Sequence, residues 1–150
     1  YGSTKAQSEQ NKETIRVRGE EVGFTFRMDR WTHIYNTFDT HRLLHWADIE
    51  GRQLELKHAL FEVHFIDGEN PGDHDVLVRT AQQVGLDPAR ARDVLTSNAY
   101  AEDVRQKQQF YHRQGINAVP SLVINDEHLI QGGQPVEVFE QALRKIAAAS

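Results

Sequence analysis

The side chains able to carry group transfer or redox chemistry are few, and this sequence lacks one whole class of them. It contains no cysteine, which removes a thiolate nucleophile, a disulfide and a Cys-ligated zinc site together. His41 and His45 stand four residues apart, a spacing that on a helix sets two imidazoles on one face where they could share a metal. Arg42, however, occupies the place where a zinc hydrolase would carry its general-base glutamate, and no third ligand follows at a suitable spacing. We read both histidines as structural, with His45 packing beside Trp46, and expect no metal and no cofactor. The other histidines, His33, His58, His64, His74, His112 and His128, are dispersed. No serine nucleophile elbow, phosphate loop or dinucleotide fingerprint occurs. The residue types assign no catalytic residue.

One segment stands apart. Gly115-Ile116-Asn117-Ala118-Val119-Pro120-Ser121-Leu122-Val123-Ile124-Asn125 leads through Val-Pro into an apolar strand. Proline cannot donate a ladder hydrogen bond, so it belongs at the start of a strand, and X-Pro is the one peptide bond that adopts cis at modest cost. Two readings are open: an ordinary trans proline opening a strand, or a cis-proline turn.

The elements that would position this segment can be read from capping and periodicity. A polar helix starts from a cap at Ser3 or Thr4 and stops at Gly23, with a thin stripe at Ala6, Ile15, Val17 and Val22. Phe24–Phe26 is a short extended piece. Asn36 caps a helix over residues 37–50, and a second helix covers 52–65. Residues 67–72 form a loop on turn chemistry. Asp73 caps a third helix ending at Val84, Asp87-Pro88 opens a short one to about Leu95, and Asn98 caps a longer one over 99–114. After Gly115 come strands 120–125 and 128–131 around an Asp126-Glu127 turn, and then a helix from Pro135 with Val138, Phe139, Ala142, Leu143 and Ile146 facing inward. Trp31, Tyr35, Phe38, Trp46, Phe61 and Phe65 read as helical-domain core. Leu122-Val123-Ile124 is apolar at successive positions, as in a strand covered on both faces. Two strands alone seldom make a stable sheet, so this sheet reads as unfinished.

Composition narrows the function class. Seventeen Lys+Arg against twenty-two Asp+Glu give a net charge of −5, with the basic residues scattered among acids. Nucleic-acid affinity needs clustered Lys and Arg, so no nucleic acid is expected as a partner. No apolar run approaches the roughly 20 residues that cross a bilayer, and no basic-then-apolar leader is present, so no membrane association is expected. The lack of cysteine favours a reducing, cytoplasmic location. The chain opens on Tyr1 and its only methionine is Met28, which leads us to expect an upstream segment.

Three further stretches give the Val-Pro segment a context. Tyr35-Asn36-Thr37-Phe38-Asp39-Thr40-His41-Arg42-Leu43-Leu44-His45-Trp46-Ala47 resembles the opening of the inserted helical domain of FrnE-type, DsbA-like proteins. Asp75-Val76-Leu77-Val78 through Val84-Gly85-Leu86-Asp87 resembles its continuation, and Gln131-Gly132-Gly133-Gln134-Pro135-Val136-Glu137-Val138-Phe139 the final turn and helix. The resemblance runs in order along essentially the whole chain. It implies an α-rich α/β fold: a helical insertion domain, residues 1–114, joined to the β-β-α half of a thioredoxin-like domain, residues 115–150. It also implies a cis bond before Pro120 and a substrate-binding loop of Val119, Pro120 and Ser121 that presents the Val119 backbone to a protein or peptide thiol or disulfide substrate. In that family a strand, the CxxC helix and another strand precede the point matching Tyr1, so the expected function is that of a redox-inactive portion of a thiol–disulfide oxidoreductase. Two alternatives stay open. One is a glutathione-dependent isomerase or kappa-class transferase, although the turn Gly132-Gly133-Gln134-Pro135 lacks the acid that would pair with the glutathione amine. The other is a non-catalytic peptide-binding module. The unfinished sheet edge further implies a homodimer through the hairpin of residues 121–131.

Overall fold

The computed structural model describes residues 5–30 and 33–149 of the chain. The predicted cap at Ser3 or Thr4 and the side chain of Trp31 lie outside the described residues. Contacts divide the chain into a unit of residues 1–104 and a unit of residues 105–150.

In the first unit α1 (Lys5–Glu21) is followed by α2 (Phe38–Ile49), α3 (Gln53–Glu62), α4 (His74–Gln83), α5 (Pro88–Thr96) and the start of α6 (Ala101–Arg113). Helices α2 to α5 pack as a closed ring, α2 on α3, α3 on α4, α4 on α5 and α5 back on α2. Helical spacing explains what they bury. Leu43, Trp46 and Ala47 lie on one stripe of α2, Leu56 and Leu60 on one of α3, Leu77 and Ala81 on one of α4, and Ala91, Val94 and Leu95 on one of α5. Leu43, Leu56 and Leu77 are fully buried, and each such side chain contributes about 1.5–3 kcal/mol of transfer free energy.

Capping sets the starts. The Asp73 carboxylate accepts from the N–H groups of Asp75 and Val76, and that of Asp87 from Ala89 N–H, as expected of aspartate before a first turn. At α2 the N-cap position falls on Thr37, whose side chain makes no capping bond, one residue after the expected cap Asn36; Asn36 Oδ1 still accepts from Phe38 N–H at 3.0 Å. At α6 the expected Asn98 cap is replaced: Ser97 Oγ accepts from Ala99 N–H at 3.2 Å, and Tyr100 adopts φ 59°. That left-handed residue cannot begin a helix, so α6 starts at Ala101.

The buried polar side chains of α2, Thr40 and Arg42, are satisfied largely by backbone carbonyls. Arg42 is 4% exposed. Its guanidinium donates to Ala99 O at 2.8 Å, to Asp39 Oδ1 at 2.7 Å, to Ser97 O at 2.5 Å, and also to Val94 O. Asp39 Oδ2 lies 2.9 Å from His74 Nε2, which links α2 to the start of α4. Thr40 Oγ1 donates to Pro71 O at 2.6 Å.

Two departures from the sequence reading have visible causes. The stripe of α1 stays largely exposed, with Val22 at 80%. Among the α1 residues whose burial is described, the buried one is Gly19, where a Cβ would sit 2.4 Å from the Phe26 ring and 2.7 Å from Phe24 O; the missing side chain is what lets the extended piece approach. The aromatic set also divides. Trp46 is in the core, whereas Phe61 and Phe65 continue a string of rings through Phe26 and Phe24, with Phe26 and Phe65 5.2 Å apart. Beyond α3 the chain makes a π-helical turn, Val63–Asp67, and Phe65 O accepts from Arg27 N–H at 2.9 Å.

The second unit holds the end of α6, β1 (Ser121–Ile124), β2 (His128–Gln131) and α7 (Val136–Ala149). The strands pair antiparallel, Ser121 opposite Gln131 and Ile124 opposite His128. The turn sits on Asn125 and Asp126, at φ 53° and 58°, one residue earlier than Asp126-Glu127. Both central positions of such a turn need positive φ, which Asn and Asp tolerate better than Glu. Leu122 and Val123 point to opposite faces and are 43% and 47% exposed, so neither face of this hairpin is sealed within the described residues. Helix α7 turns Phe139, Ala142 and Ile146 inward, while Val138 and Leu143, expected to be inward, remain exposed. A cleft of about 500 Å³ between β2 and α7 is lined by Leu129, Ile130, Ala142 and Ile146 among others.

Candidate functional site

The loop between α6 and β1 is fixed residue by residue. Gly115, at φ 81°, ends α6, where its N–H and that of Ile116 donate to His112 O and Tyr111 O, a glycine stop of the usual kind. Asn117 Nδ2 turns back to Gly115 O at 3.0 Å, and Asn117 Oδ1 lies 3.3 Å from His112 Nδ1. The N–H groups of Asn117 and Ala118 both donate to Gln131 Oε1, at 2.9 and 3.2 Å. Ser121 Oγ donates to Ala118 O at 2.6 Å. Pro120 O accepts from Gly132 N–H at 2.8 Å, which continues the ladder past the Ser121–Gln131 pair. The Val119–Pro120 bond is cis.

Hydrogen bonds therefore hold residues 117, 118, 120 and 121, and Val119 alone is left out. Its N–H and C=O have no partner among the described residues, and the residue is 88% exposed. A held residue with one free donor and one free acceptor is the smallest unit of an open sheet edge, able to pair with an extended chain. The three residues singled out in the sequence, Val119, Pro120 and Ser121, are thus contiguous, with Ser121 serving the frame through its hydroxyl. Gln131 escaped the sequence reading. It looks like the last residue of a strand, and its bonds reach 13 and 14 residues back at no periodic spacing.

The histidines do not converge. His45 packs its ring on Tyr100 at 5.2 Å, and its Nδ1 is buried without a hydrogen-bond partner. Among the described residues no group of three or more His, Asp or Glu side chains could hold a metal ion. No helix among them is long and apolar enough to cross a membrane.

Comparison with known proteins places this geometry in a family. The uncharacterized protein YwbO of Bacillus subtilis (strain 168) is 33% identical over 100 residues, which are 66% of this chain and 50% of that protein. A crystal structure of a probable DsbA oxidoreductase from Streptomyces coelicolor superposes with a TM-score of 0.88 at 32% identity, covering 100% of this chain and 64% of that one. The chain thus spans half the length of the curated relative and less than two thirds of the solved structure. The family described as DSBA-like thioredoxin domain matches residues 3–144, nearly the whole sequence, and the chain belongs to that family.

Proposed function

We propose that this chain supplies the helical domain and the substrate-presenting loop of a FrnE-type, DsbA-like thiol–disulfide oxidoreductase. Val119, Pro120 and Ser121 receive a protein or peptide substrate, and the thiol pair belongs to polypeptide outside these 150 residues. The observation that carries this reading is the hydrogen-bonded frame that leaves the main chain of Val119 open. An extended substrate pairing there gains main-chain hydrogen bonds independent of its side chains, which suits an enzyme acting on many sequences. Disulfide exchange itself begins with attack by a thiolate, and no side chain of this cysteine-free chain replaces it. The exposed faces of the β1–β2 hairpin support the reading, since helices packed on a completed thioredoxin-like sheet would cover them. A cytoplasmic location accompanies this proposal.

Titration of the ¹⁵N-labelled chain with reduced, carboxamidomethylated insulin B chain tests it. Amide shifts should centre on Val119 and its neighbours. Shifts confined to other regions, or none at saturating peptide, refute it. A second reading, a non-catalytic peptide-binding module, is favoured by the absence of cysteine; it predicts the same shifts and no thiol pair anywhere in the full-length polypeptide. The glutathione-linked alternative has less support, because the turn at residues 132–135 carries no acid and Gln134 Nε2 is engaged with Gln131 O at 2.9 Å.

A further inference from the structure

We infer that Gln131 is the positioning residue of the Val119 loop: its amide oxygen, received by two consecutive backbone N–H groups, sets the conformation in which Val119 can meet a peptide. The inference rests on the peptide-presenting reading above and deepens it.

The N–H groups of Asn117 and Ala118 point at one atom of Gln131. A glutamine amide has one acceptor oxygen and one donor nitrogen, and two donors facing it fix the oxygen as the inward atom. The same residue is paired with Ser121 across the hairpin, and its own carbonyl accepts from Gln134 Nε2. Gln131 is thereby locked by the ladder at its backbone and by the 132–135 turn behind it. Its side chain reaches over the Val119–Pro120 step to the residues before it, while its ladder partner Ser121 closes the other side by donating to Ala118 O. Ala118 is gripped at both its N–H and its C=O, so Val119 inherits its direction from a fixed neighbour.

The alternative is that the loop holds itself. Against this, the loop bonds that do not involve Gln131 are Ser121 Oγ to Ala118 O, Gly132 N–H to Pro120 O, Asn117 Nδ2 to Gly115 O and the His112–Asn117 contact. None of them engages the two backbone donors that precede Val119. Without an acceptor those donors turn to water and the loop gains alternative conformations, which costs binding affinity because the entropy of ordering then falls on the binding step.

Two variants of the 150-residue chain test this. Gln131→Met keeps the length of the side chain and removes the acceptor; Gln131→Glu keeps an acceptor of the same reach and strengthens it by charge. Amide hydrogen exchange and binding of reduced, carboxamidomethylated insulin B chain are measured on each, with far-UV circular dichroism to show that the helices persist. In Gln131→Met, exchange at Asn117 and Ala118 should rise by about tenfold or more while the interstrand amides of the hairpin keep their rates. Peptide affinity should fall by about fivefold, and Gln131→Glu should restore both. Unchanged exchange at Asn117 and Ala118, unchanged affinity in Gln131→Met, or Gln131→Glu behaving like Gln131→Met overturns the inference. If the unsubstituted chain binds no peptide, the peptide-presenting reading falls instead, and the exchange rates still decide whether Gln131 holds the loop.

Discussion

Arg42→Met should be among the most damaging single changes in the helical unit. The Arg42 guanidinium is nearly inaccessible and serves four acceptors: Asp39 Oδ1 and the carbonyls of Val94, Ser97 and Ala99. The three carbonyls lie at and beyond the end of α5, where a helix leaves its last C=O groups without internal partners and its dipole favours a cation. Methionine matches the stem and makes none of these bonds. A hydrogen bond to a charged group contributes about 1.5–3 kcal/mol, so four counted separately would exceed the stability of many domains. They share one donor group and are not additive, and the cost of dehydrating the guanidinium offsets part of the gain. Breaking a buried ion pair from one side costs about 3–5 kcal/mol, and we expect Arg42→Met to fall in that range. With a urea m-value of about 2 kcal/mol per molar, the midpoint should drop by about 2 M, followed by fluorescence of Trp46, which is buried beside Arg42 on α2. Arg42→Lys should lie between, because a compact ammonium cannot span carbonyls that the planar fork reaches together. A loss below about 1 kcal/mol in the methionine variant, or a lysine variant as stable as the parent, would show that the guanidinium does not hold the α5–α6 junction.

The remaining predictions concern pH, packing and assembly. Burial alone would raise the Asp39 carboxyl, but hydrogen bonds from His74 and Arg42, with their charges, outweigh it and hold its pKa below the ordinary value. Its contribution is therefore complete above an unfolded value of about 3.9 and lost as pH falls through the folded one; Asp39→Asn should flatten the loss of stability in that acid range, and an unaltered acid limb counts against the linkage. Gly19→Ala in an ordinary helix interior would stabilise by about 1 kcal/mol, yet here the new methyl meets the Phe26 ring and Phe24 O, so thermal unfolding should occur at lower temperature, and a higher midpoint would refute the close approach. The isolated chain should form a homodimer through the hairpin of residues 121–131, whose Leu122 and Val123 are half exposed; light scattering should give twice the chain mass, and a monodisperse monomer would sink this expectation.

How much of this was legible in the sequence depended on the range of the interaction. Asp73 and Asp87 act on amides two or three residues away, and the stripes of α2 to α5 are periodic, so the helices could be placed within a few residues. The failures are long-range. In the sequence Arg42 stands out only as a residue where a metal site would want glutamate, because its three carbonyl partners lie 52 to 57 positions along the chain. The π-helical turn after α3 has no local marker, and the aromatic set could not be divided between core and string without knowing that Gly19 admits Phe26. At the loop, Val-Pro entering an apolar strand was a visible signal, whereas Gln131 gave none.

Arg42 and Gln131 solve the same physical problem in the two units. In each, backbone polar groups at the end of an element or in a loop have no ladder to join, and one polar side chain from a distant element collects several of them. An apolar side chain could fill the same space but would leave those groups unpaired at about 1–3 kcal/mol each when buried. The two differ in what surrounds them. Arg42 sits against a sealed ring of helices, so its bonds act in a water-poor setting and govern stability. Gln131 sits beside an exposed loop and a hairpin with open faces, where the same kind of bond is worth less in free energy but decides which conformation the loop presents. Substitution at Arg42 should therefore register mainly in unfolding, and substitution at Gln131 mainly in exchange and peptide binding.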